Sequence, residues 1–195
     1  IIIIKITRII IYRSGFRKCM AKSDSFFIRA QVTPDNAGTF VQSSIDLGAY
    51  VSALGKSVLR IHNVEQEWTQ GASGTIPGGA PTFAGDKAGY AIFQLTTQTQ
   101  TGLVTLDNKS CIAKGQLWAR NADSAANPPG QSYSDSHMPQ HYSNGYLVAV
   151  ETMYLGAQAD TDWTAGDDIT CSVVLECSVE TLSQAAAMAL SLSQQ

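Results

Sequence analysis

The chain has 195 residues, of which 44% are hydrophobic, 15% charged and 8% aromatic, with four Cys and a formal net charge of −3. That length suits one domain, or one domain with an arm, and is large enough to bury a core. The composition excludes a disordered chain, a disulfide scaffold, a collagen and a coiled coil, and no apolar run approaches the roughly 18 residues of a membrane-spanning helix.

The charge is uneven along the chain. Residues 1–29 hold seven basic side chains, Lys5, Arg8, Arg13, Arg17, Lys18, Lys22 and Arg29, against Asp24 alone, a balance of +6. Residues 30–195 hold six bases and fifteen acids, a balance of −9. A basic N-terminal arm on an acidic body can neutralise phosphates without reading base sequence. Its candidate nucleic-acid-binding residues are Lys5, Arg8, Arg13, Arg17, Lys18 and Lys22. Another reading starts from Met20-Ala21-Lys22-Ser23, which looks like a natural beginning. Residues 1–19 are then upstream sequence, and the remaining chain carries eight bases against sixteen acids, a net −8. The opening Ile1-Ile2-Ile3-Ile4-Lys5-Ile6 does not have the order of a signal peptide, because its apolar stretch comes first and no small-residue cleavage site follows.

The body reads as β-rich, with period-two runs between turn clusters. Ser25–Thr33 places Phe26, Ile28, Ala30 and Val32 on one face and Phe27, Arg29 and Gln31 on the other. Pro34-Asp35-Asn36-Ala37-Gly38 is a turn signal. Thr39–Leu47 and Ser57–Trp68 follow, the latter with Val58, Arg60, His62 and Val64 alternating against Leu59, Ile61 and Asn63. Gln70–Gly89 is a long Gly/Pro/Ala-rich loop of the kind that often meets a partner. Tyr90–Gln98, a short Gly102–Leu106 and Ser110–Ala119 are the next strands. Asn121–Asn144 reads as a second long loop, and Gly145–Gly156 as one continuous strand. In Asp168–Val179 one face is Ile169, Cys171, Val173, Leu175, Cys177 and Val179, the signature of a strand with one face in a core. The tail changes period: Thr181–Leu192, around Ala185-Ala186-Ala187-Met188, predicts a short helix with Leu182, Ala186 and Ala189 on one face.

Chemical motifs are near-misses. Gly55-Lys56-Ser57 lacks the earlier glycine of a phosphate-binding loop and runs into a strand. Gly71-Ala72-Ser73-Gly74 lacks the spacing of a nucleophile elbow. His137 and His141 have a metal-pair spacing, but Pro139 separates them in a polar loop. Asp160-Thr161-Asp162 with Asp167-Asp168 fails the calcium-loop pattern at Ala165 and Cys171, which leaves only an irregular calcium site. Cys171 and Cys177 lie six residues apart on one strand, roughly 20 Å, too far to bridge. Cys111 is free to approach either of them. Asn108-Lys109-Ser110 has the form of a glycosylation acceptor. No metal, cofactor or catalytic constellation emerges.

Seven or eight short strands with long loops and no alternating βα units predict an all-β antiparallel sandwich or barrel. With the arm around Lys5–Lys22, the Gly/Pro/Asn loops and the Ala-rich tail, the pattern over residues 25–180 resembles single-jelly-roll viral capsid proteins. The resemblance implies a jelly-roll sandwich of about eight strands with a basic N-terminal arm, residues 1–24. Residues 25–195 form the body, with a terminal helix at 181–192. It implies a non-enzymatic virion protein that assembles with itself into a shell around packaged nucleic acid, with no membrane partner. Shell proteins work through subunit interfaces, for which Trp68, Phe83, Trp118 and Trp163 are the candidate anchors; each is equally able to cap its own core. The competing reading is a carbohydrate- or ligand-binding β-sandwich using Trp118, Tyr133, Tyr142 or Trp163 as stacking platforms.

Overall fold

A computed structural model of the chain describes residues 24–34, 38–52, 56–70, 87–121, 130–160 and 169–195. These contain strands β1 (Phe26–Val32), β2 (Val41–Asp46), β3 (Ser57–Gln70), β4 (Lys87–Thr96) and β5 (Cys111–Asn121). Strands β6 (Gly130–His137), β7 (Tyr146–Val148), β8 (Thr152–Ala159) and β9 (Ile169–Thr181) follow, then helix α1 (Gln184–Ser193). The basic segment, Phe83, Trp163 and the Asp-rich turn at 161–168 lie outside the described residues.

The strands form two antiparallel sheets, ordered β1-β9-β3-β7 and β2-β8-β4-β5-β6. The pairing is nested along the sequence: β1 with β9, β2 with β8, β3 with β7, β4 with β5. One long antiparallel ribbon rolled into two layers gives this order, and that is a jelly roll. Strand β6 adds a fifth strand beside β5.

The alternation of β9 is realised from Ile169 to Cys177 and breaks beyond it, where Ser178 is buried and Val179, expected on the inward face, is only partly so. Its inward residues Ile169, Cys171, Val173, Leu175 and Cys177 are buried, and it lies mid-sheet between β1 and β3. Strand β1 turns Phe26, Ile28, Ala30 and Val32 toward the core, as its sequence predicts. Strand β3 departs from simple alternation. A bulge between Ile61 and Asn63 shifts the register, so Val64 joins Leu59 and Ile61 in the core. The extra residue resets which face later side chains occupy. A second irregularity, at Leu95/Thr96 opposite β5, buries Ile112 beside Cys111 and Ala113. The stretch Gly145–Gly156, which reads as one strand, is two: β7 and β8 belong to opposite layers, and the chain crosses between them at 149–151. Strand β6 forms within the polar stretch expected to be loop, because the free edge of β5 supplies its hydrogen bonds. The Gly102–Leu106 segment is not a strand.

The core between the layers is built from Trp68, Phe93, Leu59, Ile61, Leu95, Leu117, Met153 and Leu155, all fully buried. Each such side chain contributes about 1.5–3 kcal/mol by leaving water. A smaller cluster of Val58, Ala149 and Ala187 seats α1 against the sheet, with Leu147, Leu182 and Leu190 around it. The helix begins at the N-cap Ser183, whose side chain accepts from the Ala186 N–H. Its inward residue is Ala187, whereas the predicted Ala186 and Ala189 are exposed. The helix is rotated by one position relative to the reading from sequence.

Three glutamines act as substitutes for backbone. Gln194 is buried at the chain end; its Oε1 accepts from Ala149 N (3.0 Å) and its Nε2 donates to Leu147 O (2.6 Å). It thereby closes the free edge of β7. Gln140 pairs with both Val64 N and Val64 O (3.1 Å each), on the part of β3 that β7 does not reach. Gln94 accepts from Val104 N (2.7 Å) and donates to Gly102 O (3.0 Å), pinning that segment across the five-stranded sheet. An open edge offers unpaired N–H and C=O groups to any passing strand, and an amide side chain has the donor and acceptor needed to occupy them.

Candidate functional site

Among the described residues, three outer regions of the sandwich hold chemistry available for recognition. The first is the exposed side of α1. Ala185, Met188, Ala189 and Leu192 recur at i, i+3, i+4 and i+7 and therefore share one face. All four are exposed, Leu192 by 68% and Met188 by 49%. No charged residue occurs from Thr181 to the last residue, Gln195.

The second region is the outer face of the five-stranded sheet. Tyr90 and Trp118 stand directly opposite each other on β4 and β5. They are 36% and 43% exposed. The next row across the sheet is Gln158, Ile92, Gln116 and Ser134, on β8, β4, β5 and β6. The row after that, Gly156, Gln94 and Lys114, is covered. Phe40 lies over Gly156, where an added Cβ would sit 2.5 Å from the ring. The 102–104 segment lies over Gln94, and Lys114 Nζ donates to Val104 O (2.7 Å).

The third region is a shallow recess of about 360 Å³ between the end of β6 and the start of β7, lined by His137, Tyr142, Ser143, Asn144, Gly145 and Tyr146. The Tyr142 hydroxyl and His137 Nδ1 share a hydrogen bond of 2.9 Å, with the rings edge-on at 5.5 Å. Burial, followed by the neighbouring His141, holds His137 below the usual imidazole range, so protonation there is disfavoured. Burial pushes the Tyr146 phenol up, and a hydrogen bond with Gln194 opposes this in part. Gly145 has φ 62°, and a Cβ on it would meet Ile61 O at 2.2 Å, so only glycine fits. Arg60 closes the back of this loop: it forks onto Glu180, with Nη2 to Oε2 at 2.7 Å, and also donates to Asn144 O. The Glu180 hydrogen bond holds the guanidinium firmly charged, against a smaller opposing effect of burial.

The residues singled out from sequence separate clearly. Trp68 is fully buried in the core, so it anchors its own subunit and not an interface. Its alternation reads outward only if the β3 bulge is ignored. Trp118 is exposed, and Tyr142 lines the recess. Phe83, Trp163 and the Lys5–Lys22 bases lie outside the described residues, as does the side chain of Tyr133. The structure adds Tyr90 and the α1 stripe. Tyr90 needed the β4–β5 register to be seen as the partner of Trp118.

The described cysteines are free and buried. Burial raises the thiols of Cys111 and Cys171 and pushes Cys177 up to about 12, leaving them as apolar filling and not nucleophiles. Among the described residues no group of three or more His, Cys, Asp or Glu could hold a metal ion, and no helix is long and apolar enough to cross a membrane.

No family model matches the chain, and no curated protein does. Among solved structures it is similar to the VP1 unassembled pentamer of Merkel cell polyomavirus, with TM-score 0.37 and 10% identity over 80% of this chain and 96% of that one. It is also similar to Desmodium yellow mottle tymovirus, with TM-score 0.30 and 12% identity over 83% of this chain and 91% of that one. The jelly-roll assignment rests on the strand order, and these neighbours are jelly-roll capsid proteins, in keeping with the resemblance read from the sequence.

Proposed function

We propose that this chain is a non-enzymatic shell subunit, found in a virion, whose jelly-roll body associates with further copies of itself around nucleic acid. The exposed apolar stripe of α1 carries this reading. Burying Met188 and Leu192 against another surface is favourable at about 25 cal/mol per Å². The residues after β9 carry no charge, whereas residues 30–195 sum to −9. Two copies therefore repel over most of their surface and least where the helices meet. A ten-residue helix is about 15 Å long. One helix pair buries less than the roughly 800 Å² per partner of a stable complex, so each subunit needs several such contacts. Many weak contacts acting together are how a closed shell holds. The six bases between Lys5 and Lys22 supply the phosphate-neutralising end.

Light scattering on the chain from Ile1 and on the chain from Met20 tests this. Megadalton particles are expected, and Leu192→Lys should reduce them to small species without unfolding the body. A monodisperse monomer from both chains, 20.8 kDa for the chain from Ile1 and proportionately less for the chain from Met20, overturns the proposal. Removing residues 1–23 stops short of β1, so it should lower the nucleic-acid content of particles while keeping the fold.

A further inference from the structure

We infer that the outer face of the five-stranded sheet is a binding site for an uncharged, unbranched oligosaccharide, centred on Trp118 and Tyr90. This site does not depend on self-assembly. Two exposed aromatic side chains stand in one cross-strand pair, beside a row that presents Gln158, Ile92, Gln116 and Ser134. Strands are spaced by about 4.8 Å, so the two rows offer rings and amides side by side over a span of roughly two sugar rings. An aromatic face accepts the C–H face of a pyranose ring, as it does other apolar groups. Each Gln amide offers both donor and acceptor, and the Ser hydroxyl does the same, which suits the mixed hydrogen bonding of sugar hydroxyls. The site has a boundary, because Phe40 and the 102–104 segment close the adjoining row over Gly156 and Gln94.

The same observations select against other occupants. A second protein surface laid on this row would strip water from two amides and a hydroxyl, at about 1–3 kcal/mol for each group left unmatched. Lys114, in the covered row, donates to Val104 O. A body of −9 disfavours acidic sugars and nucleic-acid phosphates, with Arg120 in the flanking row of β5 as the opposing charge. The ligand class favoured is a neutral glycan.

The test is a titration of the full chain with cellotetraose, chitotetraose and maltotetraose, with sialyllactose as the acidic control. Binding is read by tryptophan fluorescence and calorimetry, and particle mass is followed in parallel. We expect a saturable fluorescence change with at least one neutral tetrasaccharide, and binding of sialyllactose at least tenfold weaker. Trp118→Ala should weaken the neutral sugar at least tenfold, and Trp118→Phe should retain most of the affinity. Gln116→Ala should weaken it two- to fivefold. The urea midpoint should stay within error in all three variants, since both positions are exposed. No saturable binding to any of the neutral sugars overturns the inference, as does equal binding of sialyllactose. Binding indifferent to Trp118→Ala also overturns it. So does a fall in particle mass on Trp118→Ala, which would make this face a subunit contact. A chain that is monomeric yet binds the sugar refutes the shell reading and leaves this one standing.

Discussion

Replacing Gln194 with Ala removes a single side chain one residue from the end of the chain, where a substitution would ordinarily do little. The structure predicts a large effect. The amide satisfies Ala149 N and Leu147 O, and both lose their partner in the variant. Ala149 is buried, so its N–H is left without water at about 1–3 kcal/mol. Leu147 is partly exposed, and water reaching its carbonyl holds that loss near the lower end of the range. The sum is about 2–4 kcal/mol, a substantial share of the roughly 5–15 kcal/mol that holds a domain together. For a chain of this size, 3 kcal/mol lowers Tm by roughly 6–12 °C. The hydrogen bond from Thr97 Oγ1 goes to the Gln194 backbone carbonyl and survives the change. Urea denaturation gives the free energy, and hydrogen exchange at the Ala149 amide locates it. Gln195→Ala, at the exposed neighbouring residue, is the control and should do nothing measurable. A loss below about 0.5 kcal/mol, the usual range for a surface substitution, with Ala149 protection unchanged, would refute the idea that this amide stands in for a missing strand.

Two further outcomes follow from particular contacts. Gly156→Ala drives a Cβ into the Phe40 ring and should cost about 1–2 kcal/mol; in a Phe40→Leu background most of that penalty should vanish, and strictly additive urea free energies would contradict the described packing. His137 is held below the usual imidazole range, so folding favours its neutral form. Its contribution is therefore present above about pH 6.5 and is lost as the pH falls through the depressed folded value. His137→Gln should flatten the dependence of the urea midpoint between pH 7.5 and pH 5.5, and an unchanged slope would exclude this group as its source.

The fold class was legible because strands such as β1 and β9 carry a regularly spaced apolar face, interrupted on the other side only by Phe27 and Val174, and alternation is a local property of sequence. What escaped the reading depended on partners distant in the chain. The bulge after Ile61 is invisible until β9 is laid beside β3. The division of Gly145–Gly156 into β7 and β8 reflects a change of layer and not a change of residue type. Strand β6 has the composition of a loop and becomes a strand only because β5 offers it an edge. The same limit applied to the sites. The Tyr90–Trp118 pair is a matter of register, and the exposure of Met188 and Leu192 follows from which way α1 rolls onto Val58 and Ala149. Trp68 shows the converse, since large aromatic residues near loops read equally well as anchors or as core.

The nested pairing has a consequence for how the molecule is made. Strand β9 is the last of the described strands along the chain, yet it sits between β1 and β3. While a ribosome is still translating, that sheet has no middle, and its earliest strand waits for residues well over a hundred positions downstream. Long-range pairing of this kind is slow, and it leaves strand edges open until the end. The arrangement also acts as a length check. A chain broken off before Ile169 has neither a complete β1-β9-β3-β7 layer nor the helix that follows it.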